Sequence, residues 1–306
     1  MTKIVYIDKP SYLPEFASSA LSGLGDFEVF DDLPSAEQVA ERIKSADAAI
    51  VEWTALPAQV FADPGKLRHI VLVTTGYSKV DLEAARAAGV DVSNTPEYSR
   101  QSVAEHAFGL ILACAKRIPE ADARVRSNSG AKYTDHEVGI QLYGKTLGIL
   151  GLGSIGSWIA KLGIGFGMDV VAYSRSQVGI PDVDQMSLDE TLAKADVIAI
   201  ALPNSQEVAG LLGAEQIAKM KDGAVLVNVS GNGCIDQAAL ADALRSGHIY
   251  GAGLDSKVSD ELANAPHLIR TAGTAWYTQS ALDRNLEMVV DTVRLGLDGK
   301  PRFVVN

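Results

Sequence analysis

Cysteine is nearly missing: 306 residues contain only Cys114 and Cys234. They stand far apart, in neither a metal-binding nor a redox spacing, which excludes a disulfide framework and fits a reduced, cytoplasmic setting. Excess positive charge is missing as well. With 27 Lys and Arg against 38 Asp and Glu, the formal charge of -11 speaks against nucleic acid or an anionic membrane as the main partner. No apolar run reaches membrane-spanning length, and Met1-Thr2-Lys3 leads straight into Ile4-Val5-Tyr6-Ile7, with no secretory leader in between. Internal repeats and low-complexity tracts are also lacking. A small-molecule partner is the expectation that these absences leave, with no metal site.

The chain is long enough for two domains, and 47% hydrophobic with 21% charged residues can build ample core. Short apolar runs at 4–7, 27–30, 48–51, 70–74 and 90–92 alternate with helical patterns such as 35–45 and 80–88. A second series of runs falls at 146–150, 168–173, 196–201, 224–229, 249–254 and 267–271. This rhythm predicts an α/β fold of two doubly wound, parallel-sheet domains. Between the series, 99–117 reads as one helix with Val103, Ala107, Leu110, Ile111 and Cys114 on a shared stripe, followed by a polar, glycine-bearing arm at 127–144. A last helix at 278–297 precedes a terminal strand at 302–305.

One motif is specific. Gly151-Leu152-Gly153-Ser154-Ile155-Gly156 follows the strand pattern 146–150 and opens a helical pattern at Ser157-Trp158-Ile159-Ala160. In that setting Gly151 permits a tight turn, Gly153 lets backbone approach a pyrophosphate, and Gly156 lets the helix lie close to the strand. The helix start, with Ser154 and Ile155, supplies unpaired N–H donors. A dinucleotide cofactor is expected. Here another absence matters, because the next strand ends in Ser174-Arg175-Ser176, with none of the acid that accepts from the 2′-hydroxyl of NAD. An arginine between two hydroxyls suits a 2′-phosphate, so NADP is expected in preference to NAD. A solvated arginine that merely fails to select NAD is the alternative.

These motifs extend into a wider likeness. Thr75-Gly76-Tyr77-Ser78-Lys79-Val80-Asp81, Asn94-Thr95-Pro96-Glu97-Tyr98-Ser99, Ser102-Val103-Ala104-Glu105-His106, Gly144-Lys145-Thr146, Ala201-Leu202-Pro203 and Gly251-Ala252-Gly253-Leu254-Asp255 together resemble the D-isomer-specific 2-hydroxyacid dehydrogenases, nearest their glycerate dehydrogenase and hydroxypyruvate reductase branch. The resemblance implies a Rossmann cofactor domain at 99–276, inserted in a flavodoxin-like substrate domain made of 1–98 and 277–306. It places Val103, Leu202, Pro203, Val229, Ser230 and Asp255 around the cofactor. The backbone of Thr75, Gly76 and Tyr77 would hold a substrate carboxylate, and Trp276 and Tyr277 would form an aromatic wall. A homodimer through the cofactor domains is also implied.

The family's chemistry needs an Arg, a His and a Glu that orients the His. Between the anchors Val227-Asn228-Val229-Ser230 and Ile235-Asp236, the Arg position is Gly231; in Thr271-Ala272-Gly273, the His position is Gly273. The Glu position falls on Asp260, or on Glu261 with a one-residue shift, and Asp260 is the single catalytic candidate. Among the histidines, His106 reads as structural, His136 lies on the arm, His267 sits at the far end of its strand, and His69 and His248 read as surface residues. An NADP-dependent oxidoreductase is expected, moving hydride to or from a small carbonyl or hydroxyl with non-family catalytic groups. The alternative is a catalytically degenerate NADP(H)-binding protein that senses cofactor or presents a surface.

Overall fold

A strand buried on both faces needs apolar residues at every position, as Ala48–Val51 at the centre of the first unit shows. β1 (Lys3–Tyr6), β2 (Asp26–Val29), β3 (Ala48–Val51), β4 (His69–Leu72) and β5 (Asp91–Ser93) form one parallel sheet in the order β2-β1-β3-β4-β5. That is the flavodoxin-like order. Ile4, Tyr6, Ala48 and Ile50 pack with Leu21 of α1 (Glu15–Leu24) and with Leu286, Val289 and Val293 of α11 (Gln279–Leu297). Val5, Ile7, Ala49 and Val51 alternate with them and pack with Val39 and Ile43 of α2 (Ala36–Ile43) on the other face. A capping box of Ser35 and Gln38 starts α2, and the Thr278 hydroxyl starts α11 by accepting from the Ala281 amide.

The computed structural model describes residues 2–127, 138–203 and 205–306. Two units emerge, Met1–Ser99 with Thr278–Asn306, and Arg100–Tyr277. Ser99 thus goes with the first unit and Tyr277 with the second. His136 and most of the expected arm lie outside the described residues. The expected strand at 302–305 is reduced to a single antiparallel bridge between Ser93 and Val304, because Phe303 at φ 55° breaks the extended backbone.

In the second unit seven parallel strands stand in the order β12-β11-β10-β9-β6-β7-β8. They are β6 (Thr146–Leu150), β7 (Asp169–Tyr173), β8 (Val183–Gln185), β9 (Val197–Ile200), β10 (Ala224–Asn228), β11 (Ile249–Leu254) and β12 (Leu268–Arg270). The order reverses where β6 and β9 are neighbours, which makes the Rossmann switch point. On one face α4 (Arg100–Ala115) and α6 (Ser154–Gly165) cover Leu147, Ile149, Val170 and Val225. On the other, Leu192 of α7 (Leu188–Lys194) and Leu240 and Leu244 of α9 (Gln237–Ser246) cover Ile198, Ile200 and Leu226. Sequence patterning missed β8, whose single apolar residue in three is only partly buried.

Both cysteines are buried free thiols. Burial pushes Cys114 up to about 12 and also raises Cys234, so neither offers a thiolate at neutral pH. Among the described residues no His, Cys, Asp and Glu group could hold a metal, and no helix is long and apolar enough to cross a membrane.

His69 corrects the expectation of a surface residue. It belongs to β4 with 2% exposure, its Nε2 lies 2.8 Å from Ser93 Oγ, and its Nδ1 has no partner. The ring is covered by α11 at Gly296, where a Cβ would come within 1.8 Å of Nδ1, so only glycine fits there. Burial pulls the imidazole from an ordinary 6.5 down to about 4, against the pull of Asp91. Between those values the unfolded chain binds a proton that the folded chain refuses. The His69 contribution is therefore complete above pH 6.5 and is lost as pH falls towards 4. Its ceiling is about 3 kcal/mol. His69→Gln keeps a donor for Ser93 and does not titrate, so the loss of unfolding free energy between pH 6.5 and 4.5 should shrink by about 2 kcal/mol in urea titrations. Equal losses in both proteins would remove this role.

Candidate functional site

The strand-turn-helix at the switch point is built on two close backbone approaches. Gly151 lies at φ 99°, and a Cβ there would come 2.6 Å from the Ala201 carbonyl oxygen. At Gly156 a Cβ would come 1.9 Å from the Gly151 carbonyl oxygen. Both positions require glycine to keep the helix seated against the turn. Gly153 differs, since a Cβ there would meet nothing within 4 Å. Its side of the turn faces open space. Gly153 is also the N-cap of α6 and has no side chain to satisfy the first N–H groups, while Ser154 Oγ is buried without a hydrogen-bond partner. Uncapped amides and an orphaned hydroxyl at a helix start fit a pyrophosphate. Ile155 follows in the same first turn.

A cavity of about 240 Å³ continues from this turn. It is bordered by Gly151 and Gly153, by Ser174, Arg175 and Ser176 after β7, by Leu202 and Pro203 after β9, and by Glu207 and Val208. The structure thus gathers seven residues proposed from the sequence. It adds Glu207, whose carboxylate pairs with the Arg175 guanidinium. Glu207 stands 32 positions along the chain from Arg175, and no local pattern marks it.

The other turns at the carboxyl edge of this sheet are held by buried polar side chains. At the end of β10 the side chain of Asn228, fully buried, accepts from the Ser230 amide at 2.9 Å and donates to Asn232 Oδ1 at 2.9 Å. These bonds shape the bend that carries Val229, Ser230 and Gly231. After β11, Asp255 accepts from the Thr271 hydroxyl at 2.6 Å and the Thr274 amide at 2.9 Å on Oδ1, and from the Ala275 amide at 2.8 Å on Oδ2. Burial opposes ionisation of Asp255, but these three donors, with His106 nearby, hold its pKa below the usual carboxylate value. Both oxygens are thereby committed to fixing the turn around Gly273.

Gly273 itself sits at φ 72°, with nothing within 4 Å of a built Cβ. Its backbone suits glycine. His106 Nε2 lies 2.9 Å from Thr271 Oγ1. Because that hydroxyl donates to Asp255, the imidazole must donate from Nε2, which ties His106 to the same turn as a structural residue. Val103 is buried in α4. Asp260 is exposed in the first turn of the four-residue α10 (Asp260–Ala263), a place that favours an acid for helix reasons alone. Trp276 and Tyr277 meet edge to face with ring centres 5.2 Å apart, and Tyr277 is exposed.

In the first unit, Thr75, Gly76 and Tyr77 form an exposed loop after β4. Their acceptors are spoken for: the Thr75 carbonyl accepts from Asn94 Nδ2 at 2.7 Å and the Tyr77 carbonyl from the Val80 amide at 3.0 Å. Their three backbone N–H groups donate to nothing among the described residues. Successive free amides on a fixed loop suit a carboxylate.

Comparisons with known proteins bear on this geometry. Residues 108–275 match the family model described as D-isomer specific 2-hydroxyacid dehydrogenase, NAD binding domain. D-3-phosphoglycerate dehydrogenase of Mycobacterium tuberculosis is 37% identical over 298 residues, which are 94% of this chain and 56% of that protein. The chain therefore spans about half the length of these relatives. Glycerate dehydrogenase of Methylorubrum extorquens is 30% identical over 317 residues, covering 99% of each chain. Among solved structures, an acyclic imino acid reductase in complex with NADPH and D-Arg superposes with a TM-score of 0.91 at 32% identity, covering 100% of each chain. The matched residues are thus those of a nicotinamide-dinucleotide-binding domain.

Gly156→Ala should force the start of α6 away from the Gly151 carbonyl and cost about 2–4 kcal/mol of stability. Thermal melts with and without dinucleotide would report both the loss and a missing ligand-induced rise, whereas a wild-type melt with a normal rise would contradict the tight approach.

Proposed function

The chain belongs to the D-isomer specific 2-hydroxyacid dehydrogenase family, and from that premise we propose an NADP(H)-dependent oxidoreductase that reduces the C=N bond of an imino acid. The observation that carries this reading is the pair of glycines, Gly231 and Gly273, at the positions where the family likeness expects the carboxylate-binding Arg and the proton-donating His. Reduction of a carbonyl leaves an alkoxide, which needs a positioned acid; losing that acid costs roughly 10²- to 10⁴-fold in rate. A protonated imine carries its proton into the site and becomes a neutral amine on receiving hydride. It makes no such demand. The likeness to an imino acid reductase supports the same substrate class.

Bound NADPH supplies the hydride. Ser174, Arg175 and Ser176 offer a cation and two hydroxyls for its 2′-phosphate, and the start of α6 offers N–H groups for its pyrophosphate. The amides of Thr75, Gly76 and Tyr77 offer donors suited to a carboxylate, and Trp276 and Tyr277 offer apolar surface. Asp260 has no histidine to orient and takes no part. Val229 and Ser230 present their bend, and Val103 its side chain, to the cofactor. The reading includes a cytoplasmic homodimer, joined through the cofactor-binding unit, whose Ile118, Val125, Val138 and Tyr143 are exposed.

A 2-oxo acid supplied with an excess of ammonium or a primary amine forms imine in solution. NADPH oxidation should then run at least about 100-fold faster than with the 2-oxo acid alone. Equal rates would overturn imine reduction, and tight NADPH binding without turnover across oxo acids and imines would assign a non-catalytic NADP(H)-binding protein. Arg175→Ala should weaken NADPH by about 10- to 100-fold and NADH by less than about threefold; equal losses would overturn the NADP preference. Light scattering at micromolar concentration should give twice the chain mass, and a single-chain mass would remove the dimer.

A further inference from the structure

Glu207 borders the cofactor cavity together with Arg175. It belongs to a single turn of helix, Gln206–Val208, after β9, and both Glu207 and Val208 line the cavity. The end of β7 carries no acid where NAD-binding chains keep one. Folding returns one through space, because the Glu207 carboxylate closes on the Arg175 guanidinium. Two oppositely charged groups therefore occupy the ribose end of the cavity, and only one of them welcomes a phosphate.

Resting on the NADP reading above, we propose that Glu207 is a second cofactor-selecting residue, an internal counter-anion that holds Arg175 until a 2′-phosphate displaces it. A 2′-phosphate and a carboxylate compete for the same guanidinium and repel each other. Both side chains are about two-thirds exposed, at 68% and 66%, so the pair is a weak lock that opens readily. Its effect is selective. NADPH must break the pair, whereas NADH leaves it intact and can also donate its ribose hydroxyls to the carboxylate. Glu207 thus moderates the preference set by Arg175 and keeps both cofactors usable.

Dissociation constants for NADPH and NADH, measured on the full chain and on Glu207→Gln, Arg175→Ala and the double variant, test this. Glu207→Gln should tighten NADPH roughly two- to fivefold and leave NADH unchanged or weaker. That gain should vanish when Arg175→Ala is also present, since competition requires the guanidinium. An unchanged or weaker NADPH affinity in Glu207→Gln overturns the proposal, as does a gain that persists without Arg175. The NADP reading fails by a different result, equal loss of both cofactors in Arg175→Ala. Both changed side chains are exposed, and unchanged melting temperatures would confirm that every variant folds.

Discussion

The approach of α6 to the Gly151 carbonyl governs the nucleotide-binding unit. At Gly156 there is no room for a single carbon, so the helix lies against the turn as closely as backbone allows. Two consequences follow from one contact. The start of α6 keeps its uncapped amides beside Gly153, and the turn stays against Ala201, next to Leu202 and Pro203 of the cavity. A larger residue at Gly156 would disturb both together. Open space at Gly153 belongs to the same design, because a dinucleotide needs backbone within reach and no side chain in front of it.

At the remaining turns of that edge the organising groups are polar and buried. Asn228 ends β10 and Asp255 directly follows β11, and each spends its hydrogen bonds on the loop beyond. Leaving such groups unpaired would cost more than their bonds gain, so the loops are strongly specified even though they lack regular structure. His106 joins this network through Thr271. The residues around Gly231 and Gly273 are therefore held in place although the two glycines bring no chemistry of their own.

What could be read in the sequence was local. The glycine turn declares itself within six residues, because a positive φ, an open face and a close helix contact each demand the same small residue type. The βαβ rhythm was legible because parallel strands buried on both faces leave unbroken apolar runs, as in Ala48–Val51 and Val197–Ile200. β8 was hidden for the opposite reason: at the sheet edge, Val183–Gln185 needs only one apolar contact. His69 was misread because nothing in its neighbours reveals that Gly296 leaves room for a ring. Glu207 escaped in the same way, since its partner is brought to it only by the return of the chain through β9. Pairings across the fold are decided by topology, which a linear pattern carries only indirectly.

The scaffold and the chemistry can part company because they depend on different atoms. In the proposed reaction, hydride transfer needs the cofactor and the substrate carbon aligned, which backbone turns can provide without an Arg or a His. Proton supply is separable whenever the substrate arrives protonated. At Gly273 the backbone is left-handed, at φ 72°, a conformation that favours glycine. A histidine returned there would meet a conformation that side chains rarely adopt, at a cost of roughly 1–2 kcal/mol. It would also leave a turn whose amides are already bound to Asp255. Under the proposed imine reduction, a ring returned at Gly273 would have to overcome this turn as well as supply a proton donor.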